Sequence, residues 1–106
     1  MTITASEQQQ IPTEIVVCLT PQEIKVFWLL MRTLGIVDKD AVMAELYGDL
    51  APTRKAKIVE VLICKMRSKI AKLGVTIDTV HGRGYRMPLS SRQKIGDMMR
   101  EEGIAA

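Results

Sequence analysis

Few side chains in this sequence could do covalent or metal chemistry. There is one histidine, His81, and there are two cysteines, Cys18 and Cys64, which lie 46 residues apart and form no Cys-x-x-Cys pair. A tetrahedral zinc site of the usual Cys/His type cannot be assembled from that set. One disulfide is arithmetically possible, but in a reducing compartment two free thiols are expected. His81 has no nucleophile at a fixed spacing that would make a triad, and the acids Asp38 and Asp40 read as a helix start rather than as metal ligands. No enzyme, cofactor or metal is therefore expected.

The chemistry that remains is charge. Residues 1–53 carry three basic groups against seven acidic ones, a balance of −4, whereas residues 54–94 carry eleven basic groups against Glu60 and Asp78, a balance of +9. The last twelve residues return to −2, which gives the net +3 of the whole chain. A basic segment this concentrated fits a polyanion partner, most often nucleic acid, or else a solvated helix face rich in lysine. The start, MTITASEQQQ, has neither the basic opening nor the apolar run of a signal peptide, and no apolar stretch reaches the roughly 20 residues of a membrane span. A cytoplasmic location without membrane contact is expected.

The elements that must position these charges follow from periodicity. Glu14 to Leu19 is a β-branched run that predicts a strand. Thr20-Pro21-Gln22-Glu23 has the form of a capping box with proline at the first helical position. Ile24, Phe27, Trp28, Leu30, Met31 and Leu34 then recur at helical spacing, and Gly35 is placed to end that helix in a left-handed turn. Asp38 caps a second helix that stops by Gly48, and 48–53 is a loop. A third and most basic helix runs from about residue 54 to 73 and closes at Gly74. Residues 75–87 change period and form a hairpin around His81-Gly82-Arg83-Gly84. Ser90 and Gln93 open a short helix over 91–102 with the apolar stripe Ile95, Met98 and Met99, which needs something to pack on.

At about 100° per residue, Val59, Ile63, Met66 and Ile70 share the core face of the third helix. The opposite face collects Lys57, Val61, Cys64, Lys65, Ser68 and Lys72 without an acid, since Glu60 lies to one side with Arg67. Cations there can meet phosphates or guanine edges, and small apolar groups can approach thymine methyls. Two helices, a longer basic helix and a hairpin tipped by His81 and Arg83 make the layout of a winged helix-turn-helix. Its third helix enters the major groove and its wing an adjacent minor groove. Gly82 and Gly84 would permit the tight turn and a close backbone approach to phosphate. The expected class is mainly α with a small β-hairpin: a three-helix core, a C-terminal wing and a short extra helix. The expected divisions are a polar leader at 1–13, the domain at 14–88 and a helical extension at 89–106.

Four stretches carry a resemblance. Leu19 to Glu23, Leu46-Tyr47-Gly48, Val61 to Arg67 (VLICKMR) and Thr79 to Arg86 (TVHGRGYR) resemble, in order and spacing, the effector domain of OmpR/PhoB-type response regulators. Lys57 to Lys69, with its Ile-Cys-Lys, is most similar to alphaproteobacterial cell-cycle regulators of the CtrA type. The resemblance implies sequence-specific binding of double-stranded DNA and transcriptional control. It places Lys57, Val61, Cys64 and Lys65 near bases or phosphates, Tyr47, Thr79 and Tyr85 at the DNA backbone, and His81 at the minor-groove wing. Lys55 belongs to the same DNA-binding set. Because histidine is largely uncharged at neutral pH, wing contact rests more on Arg83.

The resemblance also marks departures. Family members carry an amino-terminal receiver and a four-stranded sheet ahead of the first helix. Only 18 residues precede Leu19, so direct control by receiver phosphorylation is not expected and the sheet is reduced or lost. The other function class is a winged helix used as a protein-interaction module. The loop 48–53, with Asp49 and Leu50, occupies the family position that can address RNA polymerase or a larger homologue. Pairing of two copies, or tandem binding on DNA, is also compatible.

Overall fold

The computed structural model describes residues 11–48 and 55–101. In chain order its elements are a helical turn α1 (Thr13–Val16), α2 (Pro21–Arg32), α3 (Lys39–Tyr47), α4 (Lys55–Ile70) with a 3-10 turn at Ala71–Leu73, strands β1 (Asp78–Val80) and β2 (Gly84–Arg86), and α5 (Leu89–Glu101). The mainly helical class with one small antiparallel hairpin is the expected one. Among the described residues that hairpin is the whole of the sheet structure.

The helix starts follow local chemistry. Thr20 Oγ1 accepts the Glu23 N–H at 3.3 Å while Glu23 Oε1 accepts the Thr20 N–H at 2.8 Å, and Pro21 stands at the first position of α2. Asp38 Oδ1 accepts the Ala41 N–H at 2.7 Å and opens α3. The Glu23 carboxylate is also buried against Lys69 Nζ at 2.7 Å, which ties α2 to α4. Burial alone would raise that carboxyl, but the bonds from Lys69 and Thr20 hold it below its ordinary value.

Three expectations are corrected. The run 14–19 is no strand: Pro12 O accepts from Ile15 and Val16 N–H at 3.0 Å each, forming α1, which buries Ile15. β-Branched residues favour a strand only where a neighbouring edge pairs with them, and neither described strand pairs with this run. Gly35 does not adopt positive φ, and α2 stops at Arg32 with Thr33 extended. The carbonyls at its end are taken instead by Arg92 of α5, whose Nη1 donates to Met31 O at 2.6 Å and whose Nη2 donates to Leu30 O at 3.0 Å and to Thr33 O. Leu34, past that end, is 87% exposed rather than core.

Phe27 and Leu30 of α2, Val42 and Met43 of α3, and Val59, Ile63, Met66 and Ile70 of α4 form the buried centre. Onto it α5 lays Ile95 and Met98, 1% and 4% exposed, so the stripe that needed something to pack on is covered within this chain. The buried Ser91 hydroxyl donates to Thr76 O at 2.9 Å and accepts the Thr76 N–H at 2.8 Å, latching α5 to the segment before β1.

The wing is docked by its second glycine. Val37 N–H donates to Tyr85 O at 2.8 Å and Tyr85 N–H to Val37 O at 2.9 Å, so the link between α2 and α3 pairs with β2. A Cβ on Gly84, at φ 150°, would stand 2.2 Å from Val37 O. The close approach that Gly84 permits is therefore to the Val37 backbone, where phosphate was expected. Gly82, at φ 75° with open space around it, serves the turn alone.

Candidate nucleic-acid interface

Helix α4 has two opposed faces because its apolar residues recur every three or four positions. Val59, Ile63, Met66 and Ile70 are each fully buried, which forces the other side outward. Lys57, Cys64, Lys65 and Ser68 are exposed there, with Val61 44% exposed among them, and Lys72 continues the strip on the 3-10 turn. The flanking acid Glu60 is answered by Lys39 Nζ at 3.0 Å, a bond that raises the Lys39 ammonium above its ordinary value.

Beside this strip lies an open, mainly apolar depression of about 280 Å³. Leu46 and Tyr47 from the last turn of α3 line it with Ile58, Val61 and Leu62, and Lys57, Lys65 and Gln22 complete it. The fold thus brings Tyr47 to the strip from a separate helix. Two lysines about an apolar hollow can meet phosphates while the hollow receives a methyl or a sugar edge.

The wing supplies a second surface. Val80 pairs with Gly84, leaving a three-residue loop in which Arg83 N–H donates to Val80 O at 2.9 Å, and His81, Gly82 and Arg83 stand exposed at its tip. A cleft of about 570 Å³ separates this tip from the start of α3 and the flank of α4. Thr79 is exposed, with its hydroxyl accepting from Arg67 Nη2 at 2.6 Å. Tyr85 also lines this cleft but is largely withdrawn from its surface. It is 4% exposed, with its ring facing the Arg67 guanidinium at 5.8 Å, so it is a core group where a DNA-backbone contact was expected. Asp49, Leu50 and the side chain of Lys55 lie outside the described residues.

Residues 14–87 match the family described as "Transcriptional regulatory protein, C terminal". The chain belongs to this family. As a member it is a DNA-binding domain of a transcriptional regulator, of the OmpR/PhoB type that its motifs resemble. It is 36% identical over 83 residues to the two-component response regulator PhoP of Pseudomonas aeruginosa, an alignment covering 76% of this chain and 36% of that protein. The chain therefore spans little more than a third of that curated relative's length. No solved structure matches it. Among the described residues no helix of this regulatory domain is long and apolar enough to cross a membrane.

Sequence reasoning missed Arg67 and Arg92. Neither has an acid three or four residues away in its own helix, a sign that its partner lies elsewhere but not where.

Proposed function

We propose that this domain reads double-stranded DNA in a sequence-specific way, with α4 in the major groove and the wing tip in the adjacent minor groove. The observation that carries the reading is the division of α4, its core face fully buried and its opposite strip of Lys57, Val61, Cys64, Lys65 and Ser68 exposed without an acid. Lys65, at mid-strip, lies over base edges, and Lys57 meets a phosphate near the helix start. Cys64 keeps the helix close to the bases by being small. Tyr47, Ser68, Lys72 and Thr79 contact the DNA backbone around this centre. His81 and Arg83 sense the narrow groove of an A·T-rich flank.

The Ile63-Cys64-Lys65 stretch resembles that of CtrA-type regulators and supports a kinship with them, and Asp49 and Leu50 are the proposed contact with RNA polymerase or a larger homologous regulator. A domain of this size buries about 600–1,000 Å² on DNA, which favours tandem or paired binding by neighbouring copies. Selection of bound duplexes from random DNA at moderate salt tests the reading. A consensus half-site with an A·T-rich flank is the expected result, and its repeat spacing reports on pairing. Recovery of no motif would transfer the function to protein interaction alone.

A further inference from the structure

The wing is a hairpin of two three-residue strands, too short to hold a fixed orientation by itself. It is joined to α4 through the 3-10 turn and residues 74–77, which form no helix or strand. Backbone pairing of Tyr85 with Val37 docks β2 on the link between α2 and α3, and one side chain of α4 ties both strands and their approach to the helix that carries the exposed strip. Arg67 Nε and Nη2 donate to Ile77 O at 3.0 and 2.7 Å, and Nη2 also donates to Thr79 Oγ1 at 2.6 Å. The same guanidinium faces the Tyr85 ring of β2. One planar fork thus grips the approach to β1, β1 itself and β2 together. A lysine, with its single compact ammonium, cannot reproduce that grip.

We propose that Arg67 is a positioning residue that sets the distance between the strip on α4 and the wing. It thereby fixes the spacing in DNA between the half-site read by bases and the flank read by the wing. The inference rests on the DNA reading above. Arg67 stands two residues from Lys65 on the same helix, so the link from base-reading residue to wing is short and rigid. Moving the flank by one base pair shifts it about 3.4 Å along the axis and turns it by roughly a tenth of a helical turn, which a rigid wing cannot follow.

The test uses the full chain and the selected duplex, with versions in which the A·T-rich flank is displaced by one base pair in either direction. The wild-type chain should lose about tenfold in affinity on displacement, of the order of one mismatched position. Arg67→Met should reduce that loss to about twofold or less while still discriminating against a base change in the half-site, and Arg67→Lys should fall between. Thermal melts of all three chains report folding. The inference is overturned if Arg67→Met weakens every duplex by one factor and keeps the wild-type spacing ratio, because stabilisation alone would do that. It is equally overturned if the wild-type chain ignores displacement. Where Arg67→Met fails to fold, Arg67→Lys decides by the same ratio. A wild-type chain that does not separate the selected duplex from a scrambled one overturns the DNA reading itself, a result visible before any flank is moved.

Discussion

Glu23 shows how much one side chain can be made to do. Its carboxylate closes the capping box of α2 and receives Lys69 from α4, and its folded-state value lies below the ordinary 4.5. A carboxyl lowered on folding adds stability above its unfolded value and loses it as pH falls through the folded one. Glu23→Gln should therefore destabilise the domain near neutrality, with the difference from wild type shrinking below about pH 4.5 in melts taken across pH. The capping half of this role was legible in Thr20-Pro21-Gln22-Glu23. The Lys69 bond was not, since the two residues stand 46 positions apart. Cys64 allows a second test at this scale. It is exposed on the strip, and if the proposed close fit to DNA needs only a small side chain there, Cys64→Ser should keep most of the DNA affinity, while a bulky adduct on the wild-type thiol should abolish binding in a titration.

Elements were legible where their cause is local and obscure where it is distant. The starts of α2 and α3 follow from capping residues within four positions. The end of α2 does not, because Arg92 reaches it across 61 residues to Met31. Arg92→Met should lower stability by roughly 2 kcal/mol, since part-buried carbonyls lose a charged donor, and chemical denaturation would measure it. The hairpin was read from its glycines, but only the fold separates their roles. Gly82→Ala meets nothing within 4 Å and should incur only the left-handed backbone penalty of about 1–2 kcal/mol. Gly84→Ala drives a Cβ into the Val37 carbonyl, so it should destabilise more and loosen the wing. In binding titrations it should also blunt any preference for A·T-rich flanks, as Arg83→Ala should without loss of stability.

At the scale of the molecule, the family match ends at residue 87 while the packing does not. Ser91, Arg92, Ile95 and Met98 bind α5 to the segment before β1, the end of α2 and the core, so a chain ending at Met87 should melt well below the full chain. The apolar stripe of α5 was visible in the sequence; that it closes on its own domain depended on the shape of the surface it meets. The charge pattern was fully legible, because the excess of positive groups over residues 54–94 needs no fold to be counted. The fold adds that part of this excess holds the structure. Arg67, Lys69 and Arg92 grip carbonyls or a carboxylate, while Lys57, Lys65 and Arg83 remain exposed.

That division is the centre of the account, and titration of Lys65→Ala and Lys57→Ala on the selected and a scrambled duplex, at several salt concentrations, tests it most directly. Lys65→Ala should narrow the preference for the selected duplex by about 1–3 kcal/mol. Lys57→Ala should weaken both duplexes alike and reduce the salt slope by about one unit. Unchanged affinity for both duplexes in both variants would contradict the assignment of α4 as the helix that reads DNA.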